Sequence, residues 1–360
     1  MAFADIPVST QTFTVRSNIQ HIELHRFYDE LQPSSPGVDG TGGARREAAI
    51  ICIKYQHHKK GCDPEKDLKT KRKRTTSKED APKRNFLNCI TLIIQIEKRI
   101  NIKIFKNGVF QLTGCKDVDN VRRCLKLILT ELSKANERVH ERADEQCAAK
   151  GRAADPLGPS SDDSDDTEDQ PGVTTQGSSS ACFQFEEGSD DFVIYIKSAM
   201  RNIDFDLGFK VNRTLLAKRL TCIYEDDDDV IIPDAIGNKM DVKVKLRVTR
   251  EELEHLPVTK IANPTHNKPK EEEILYKNCL HIIEPDKKKL ETKLKDKFVS
   301  ISVFQNGKVL LSAMDASIQE RYYEWFTNLI SEIEEDIKPP VLPKKTFLVG
   351  KSRQKTKLVI

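Results

Sequence analysis

Two short stretches carry the residue types that most often do chemistry. The run KTKRKRTTSKEDAPKR (69–84) is rich in Lys and Arg, which is typical of a DNA-binding arm, a nuclear-import signal or a solvated loop. His57, His58 and Cys62 invite a metal interpretation, but only one Cys stands at that spacing and no second pair of ligands follows. We therefore predict no metal site and leave the three interpretations of the basic run open.

Signatures of catalysis are missing from the sequence. It contains no GxxxxGK[ST] phosphate-binding loop, no HExxH zinc motif and no GxSxG nucleophile motif. Many of its carboxylates are concentrated in low-complexity runs such as DDSDD and EDDDD, which form no pocket. We therefore expect a protein that is not an enzyme, uses no cofactor and takes no small-molecule substrate.

Composition favours a reduced, intracellular environment. Charged residues make up 32% of the 360-residue chain and hydrophobic residues 38%, which is typical of a soluble protein with long polar segments. No apolar run is long enough to cross a membrane, and the N-terminus lacks the layout of a secretion signal. The nine cysteines include no CxxC pair, so we expect reduced thiols.

The net charge of +3 conceals a segregation of charge along the chain. Residues 1–135 carry 25 Lys and Arg against 15 Asp and Glu, residues 136–191 carry 4 against 15, and the remainder carries 30 against 26. The middle segment is acidic and rich in Gly and Ser, so it buries too little apolar surface to fold. We predict two globular halves, 1–135 with a basic insert at about 57–85 and 192–338, joined by an acidic disordered linker at 136–191 and followed by a basic tail at 339–360.

Two hairpins of nearly the same sequence begin 199 residues apart. INIKIFKNGVFQLTG (100–114) and VSISVFQNGKVLLSA (299–313) align without a gap, and each has Asn-Gly at its turn, the pair that two-residue hairpins favour. Each copy is preceded by a strand and a short helix and followed by an amphipathic helix, at 117–133 or 317–334. We infer an internal duplication, in which two small sheets pair edge to edge and carry their helices on one side.

Alternation along the strands assigns the two faces of each hairpin. The isoleucines of INIKIF share one face, which leaves Lys103 and Phe105 on the other, and Phe304 shares a face with Ser302 in the same way. A lone Phe in a strand usually belongs to a core. Its duplication beside polar residues instead favours two exposed rings on the face away from the helices.

This order of elements, written twice, resembles the TATA-binding protein family. The resemblance is carried by FKNG and FQNG before the LTG and LSA strands, and it covers residues 1–135 and 192–335. It is closest to divergent TATA-binding-protein-like sequences of large DNA viruses, which share the STQT opening and the basic insert. It implies an α+β fold in which two tandem repeats form a saddle, with a curved antiparallel sheet and helices on the convex face. In that family the concave sheet lies on the DNA minor groove, and two Phe per repeat kink the duplex.

Carried over residue by residue, the resemblance implies a set of DNA-contacting positions. Phe105 and Phe304 match one wedge of each pair; Phe86 is the candidate for a second wedge, and no Phe stands at the corresponding place in the second repeat. The other candidates are polar or basic: Gln11 and Asn202, nearest to the central Asn pair of the family, with Thr113, Ser302, Ser312, Lys103, Lys116, Lys243, Lys245 and Arg247. The aspartate run at 226–229 argues against kinking by the second half, because it repels phosphates.

The function that this resemblance implies is that of a viral transcription initiation factor. It would dock an apolar concave sheet on the minor groove of A/T-rich double-stranded promoter DNA and recruit a B-class initiation factor and RNA polymerase through the closing helices. It would act in the host nucleus or in a cytoplasmic viral factory. The alternative is a protein-interaction scaffold in a transcription complex that kept the fold and lost the DNA.

Overall fold

The computed structural model describes the chain in six stretches: residues 2–34, 48–62, 88–152, 181–232, 240–295 and 297–339. The basic run at 69–84, Phe86 and the tail from residue 340 onwards lie outside the described residues. The predictions made for them therefore stay predictions.

The first half consists of antiparallel strands followed by a long helix. In chain order its elements are β1 (Val8–Ser17), β2 (Ile19–Ile22), α1 (Leu24–Glu30), β3 (Ala49–Tyr55), β4 (His58–Gly61), β5 (Cys89–Gln95), β6 (Arg99–Phe105), β7 (Val109–Cys115) and α2 (Val118–Arg152). A short strand, β8 (Phe183–Phe185), pairs with β2. It leads the chain from the first half into the second.

The second half repeats this order with an insertion. Its elements are β9 (Val193–Asp206), α3 (Arg213–Ile223), β10 (Val230–Ile231), β11 (Asp241–Arg247), α4 (Arg250–Glu254), β12 (Pro257–Ala262), β13 (Lys270–Leu275), α5 (Tyr276–Ile283), α6 (Lys287–Lys295), β14 (Phe298–Phe304), β15 (Lys308–Ala313) and α7 (Ala316–Ile337). In the first half a tight turn joins β5 to β6, whereas residues 248–297 separate β11 from β14. We call these residues the insert.

The two halves share one continuous sheet. Its strand order is β10-β11-β14-β15-β9-β1-β7-β6-β5-β3-β4, so the opening strands β1 and β9 pair antiparallel at its centre. Outward from that pair, the strands follow the order β7-β6-β5-β3-β4 in the first half and the equivalent order β15-β14-β11-β10 in the second. The predicted α+β architecture of two tandem repeats in a single antiparallel sheet is confirmed.

Each half has its own hydrophobic core on the helix side of the sheet. Strand residues such as Phe13, Ile102 and Leu112 pack with Leu125 of α2 in the first core. The second core is built in the same way around Phe326 of α7. Alternation places every second strand residue in these cores, so the residues between them face away from α2 and α7. We call that side of the sheet the open face.

Local sequence fixes the equivalent turns and helix starts of the two halves. Each Asn-Gly turn uses its glycine with a positive φ, 71° at Gly108 and 86° at Gly307, which glycine adopts without strain. Neither Asn has a positive φ, and the glycine N–H donates to the carbonyl of Phe105 or Phe304, so the predicted two-residue Asn-Gly turn, which needs a positive φ at both positions, is wrong. The closing helices both start after an Asp whose carboxylate accepts a backbone N–H, from Asn120 to Asp117 and from Ser317 to Asp315, each at 2.8 Å. Such carboxylates stabilise a helix N-terminus.

The boundaries of the predicted linker need correction. Helix α2 continues to Arg152, well past residue 135, and in this extension Arg138 and Arg142 pair with Glu30 of α1 at 2.9 and 2.8 Å. At the other end Cys182 is buried in the first core. Only residues 153–180 of the predicted linker lie outside the described residues.

Candidate nucleic-acid interface

The strand register arranges the polar side chains of the open face in two equivalent rows. Residues directly opposite each other in neighbouring strands point to the same face. The first-half row is Asn101, Thr113, Thr12 and Met200; the second-half row is Lys245, Ser300, Ser312, Asn202 and Thr10. The resemblance implied an apolar concave sheet, but this surface is largely polar.

Phe105 and Phe304 both lie on the open face. Each is half-buried and belongs to neither core. Phe105 lies opposite Cys89 of β5, and Phe304 lies opposite Asp241 of β11. The structure thus brings two aromatic rings to equivalent positions on one sheet surface, as expected for wedges and unlike core residues.

Gln11 does not lie on the open face, which corrects the sequence assignment. The β1–β7 register shifts between Gln11 and Thr12, with Gln11 opposite Cys115 and Thr12 opposite Thr113. The extra residue is Gly114, whose φ of 98° marks a β-bulge. Gln11 therefore shares the face of the buried Cys115, and its amide donates to the Ser198 hydroxyl at 3.1 Å. Thr12 takes the open-face position expected for Gln11, but it is only 5% exposed.

The other predicted polar residues are on the open face. Asn202 lies directly opposite Ser312 without any shift of register, and Thr113 is exposed in the first-half row. Ser302, at 6% exposure, is nearly buried between its neighbours. Thr12 in β1 lies opposite Thr113, and Asn202 in β9 lies opposite the equivalent Ser312. The first half therefore has a Thr at the position where the second half has an Asn.

Four of the predicted cations occupy open-face positions, and one of them, Arg247, pairs with a carboxylate. Lys103, Lys243 and Lys245 occupy open-face positions in β6 and β11. Arg247 continues the β11 series, but its guanidinium forms an ion pair with Asp229 at 3.2 Å. The aspartate run therefore reaches the rim of the open face and neutralises one of its cations.

Lys116 lies past the end of β7 rather than on the open face. It is exposed and lines a cleft with Lys98 and Asp117. Burial lowers the pKa of Lys98, and the positive charge of Lys116 lowers it further. Lys116 is thus part of a small charged cluster at the end of the first half-sheet.

Carboxylates distinguish the two halves of the open face. In the second half Asp241 lies opposite Phe304, and Asp204 lies opposite Leu310. The described strands of the first half place no Asp or Glu on this face. A polyanion would therefore meet a more favourable potential on the first half.

One residue of the open face was missed in the sequence. Phe298 begins β14, and the Lys245 amine and the Arg247 guanidinium each lie 5.8 Å from its ring centroid. Continued alternation from Phe304 back to residue 298 would have found it. Met240, which precedes β11, is 81% exposed, and no pattern in the sequence marked it.

The insert covers one end of the open face. Lys197 of β9 lies opposite Thr14, on the face away from the first core. Its amine is 3.8 Å from the ring centroid of Tyr276 in α5, and burial raises the pKa of the Tyr276 hydroxyl. A cavity lined by Thr14, Lys197 and Tyr276 lies beneath the insert helices. The surface available to a ligand therefore ends at this point of the central strands.

The described residues contain no arrangement suited to a metal, since no three His, Cys, Asp or Glu side chains come together among them. Within the same residues, no helix combines the length and the apolar character that a membrane span requires.

Two viral proteins and a solved structure are among the proteins to which this chain is similar. A protein of Invertebrate iridescent virus 6, "Uncharacterized protein 335L", is 23% identical over 360 aligned residues, which span 92% of this chain and 85% of that protein. A "TATA-box-binding protein-like" protein of Acanthamoeba polyphaga mimivirus is 34% identical over 85 residues, 21% of this chain and 20% of that protein. The chain "Methanococcus jannaschii TBP" aligns at a TM-score of 0.36 and 12% identity, over 91% of this chain and 98% of its own length. No family model matches.

Proposed function

We propose that this protein is a viral, non-catalytic transcription initiation factor that binds the minor groove of A/T-rich promoter DNA. The observation that carries the proposal is the placement of Phe105 and Phe304. Both rings are half-exposed, outside both cores and at equivalent positions on the open face of one sheet. Apolar wedges of this kind separate base steps and kink DNA in minor-groove-binding proteins.

Cations and polar rows would supply the remaining contacts. Lys103, Lys243 and Lys245 project from the same face as the two rings and would bind phosphates, which position a protein on a duplex without reading its sequence. Preference for A/T-rich sites would come from the low cost of deforming steps such as TA beneath the rings.

The helix side of the sheet would bind the transcription apparatus. Lys126 is exposed near the start of α2, where Arg122 pairs with Asp119 and Glu271 and Arg123 pairs with Glu97. In contrast, α7 exposes a row of acids: Glu320, Glu324, Glu332 and Glu335. The mixed-charge start of α2 and the acidic face of α7 would offer separate sites for a B-class initiation factor and an RNA polymerase subunit. The place of action would be the host nucleus or a cytoplasmic viral factory.

Gel-shift titration of the full chain with a short A·T-rich duplex tests the proposal. We expect a complex that poly(A·T) competes away and that a single-stranded oligonucleotide of the same sequence does not. Failure to shift duplex DNA at micromolar protein and low salt would rule out the DNA-binding role.

The second candidate is a protein-interaction scaffold, and the insert favours it. Helix α5 covers the open face at Lys197, and Asp229 neutralises Arg247 at the rim. Both features reduce the surface and the positive charge available to DNA. A chain that binds no duplex but retains polymerase subunits would fit this candidate.

A further inference from the structure

The helices of the second half differ in charge according to the side of the sheet on which they lie. On the helix side, α7 contains six Asp and Glu residues against one Arg. The insert helices α5 and α6 together contain six Lys and one Glu, and that residue, Glu291, pairs with Arg250 of α4 at 3.5 Å. A polyanion would therefore be repelled by α7 and attracted by α5 and α6.

The two insert helices lie against the end of the open face. Tyr276 of α5 covers Lys197 of β9, whose amine is 3.8 Å from the ring centroid. Leu294 of α6 lines the same cavity as Thr14 and Lys197, which lie directly opposite each other in the central strands. Helices α5 and α6 therefore stand beside the surface on which we propose that DNA binds.

The insert also returns to the sheet at a basic part of the open face. Helix α6 ends at Lys295 and β14 begins at Phe298, whose ring centroid is 5.8 Å from both the Lys245 amine and the Arg247 guanidinium. Lys297, just before β14, lines the cavity beneath the insert together with Lys197. The cations of β11 and the lysines of the insert thus lie at the same end of the second half-sheet.

Two lysines of the insert helices are on its outer surface. Lys277 of α5 and Lys288 of α6 are exposed, whereas Cys279 and Leu294 of the same helices are buried. A lysine amine on its flexible stem binds a phosphate as a point charge. Such a contact positions a protein on a duplex without reading its sequence.

We infer that α5 and α6 form a lateral wall of the DNA site, in which Lys277 and Lys288 contact phosphates of a duplex bound on the open face. This rests on the proposed minor-groove function and deepens it. The first half has a tight turn between β5 and β6 where the second half has the insert, so the wall exists on one half only. The protein should therefore cover the DNA backbone unequally on the two sides of the site.

Replacement of the two lysines should reduce the salt dependence of DNA binding. Each lysine–phosphate contact that is lost lowers the slope of log K against log salt by about 0.9, so we expect Lys277→Gln/Lys288→Gln to lower it by up to about twice that amount. Lys277→Arg/Lys288→Arg retains both charges and should keep the parental slope. Lys126→Gln/Lys218→Gln makes the same charge change at exposed positions of α2 and α3, on the helix side, and should also leave the slope unchanged. Thermal unfolding of each variant checks its fold.

Hydroxyl-radical footprinting on a longer A·T-rich duplex locates the contact. We expect the parent chain to protect sugars of the central site and further sugars on one side of it only. The Lys277→Gln/Lys288→Gln variant should lose the protection on that side and keep the protection of the central site.

The outcomes separate the wall from the function on which it rests. If the parent chain binds duplex DNA but the insert variant keeps the parental slope and footprint, the inference is wrong and the minor-groove function stands. If the helix-side variant lowers the slope as much as the insert variant, the effect comes from net charge and the inference is wrong. If the parent chain binds no duplex, the minor-groove function and the wall both fail.

Discussion

Phe304 lies directly opposite Asp241 in the β11–β14 pair, whereas its counterpart Phe105 lies opposite Cys89. A carboxylate beside an aromatic wedge repels phosphates and loses hydration when DNA covers it. Burial raises the pKa of the Cys89 thiol, although Lys103 lowers it, so the first wedge has a neutral neighbour. The two halves therefore have the same geometry but different electrostatics, and the first should bind DNA more firmly.

Removal of the Asp241 charge should tighten DNA binding. We expect Asp241→Asn to improve the binding free energy by about 1 kcal/mol, the interaction of two charges about 4 Å apart in water. Fluorescence anisotropy with a labelled A·T-rich duplex measures the change. Asp190→Asn, at an exposed site before β9, is the matched control. Equal effects of the two substitutions would mean that Asp241 does not lie near the bound DNA.

Truncation of the wedges should reduce DNA bending more than stability. Phe105→Ala and Phe304→Ala remove side chains outside the cores, so each should cost well under the about 3–5 kcal/mol typical of a core Phe. Phe110→Ala, within the first core, should incur that full cost. Energy transfer between dyes at the duplex ends measures bending, and loss of Phe105 should reduce it more. Two stable variants that bend DNA as well as the parent would exclude the wedge mechanism.

Much of the fold was predictable because the two halves have the same pattern. The hairpins at 100–114 and 299–313 carry period-2 alternation and Asn-Gly pairs. These local signals predict where the chain turns, which face each residue occupies and where Phe105 and Phe304 lie, although the turns are not of the two-residue type predicted. Asn202 also lies on the predicted face. Where the strand register is regular, the alternation of residues alone therefore predicts which face each side chain occupies.

Two further features were predicted wrongly or missed: the face of Gln11, where a β-bulge changes the strand register, and the insert, which packs onto one side of the sheet. The bulge at Gly114 moves Gln11 to the helix side and Thr12 to the open face, and one glycine in a strand does not reveal which neighbour will change sides. The insert was missed because its contacts with the sheet are long-range: β12 pairs with β9, and Tyr276 lies against Lys197, 79 residues away in sequence. The spacing of apolar residues along the chain contains no information about such contacts.

The hairpin glycines should differ from other glycines in their tolerance of alanine. Gly307 has a φ of 86°, and a Cβ there would lie 2.1 Å from the backbone oxygen of Phe209. Gly208 has a φ of 82° but no atom within 4 Å of such a Cβ. We expect Gly208→Ala to cost about 1–2 kcal/mol from left-handed strain alone, and Gly307→Ala to cost more because backbone must move. Melting temperatures compare them; equal losses would contradict the close approach of the hairpin to Phe209.

The lysines of β11 should govern the salt dependence of DNA binding. Each phosphate neutralised by a cation contributes about 0.9 to the slope of log K against log salt, so Lys243→Gln and Lys245→Gln should each reduce the slope by up to that amount. Arg247→Gln should change it less, because Asp229 already pairs with Arg247. Lys126→Gln, exposed on α2, is the control on the helix side and should leave the slope unchanged. Anisotropy titrations at several salt concentrations give the four slopes, and a larger effect of Lys126 than of Lys243 and Lys245 would place the DNA on the helix side of the sheet.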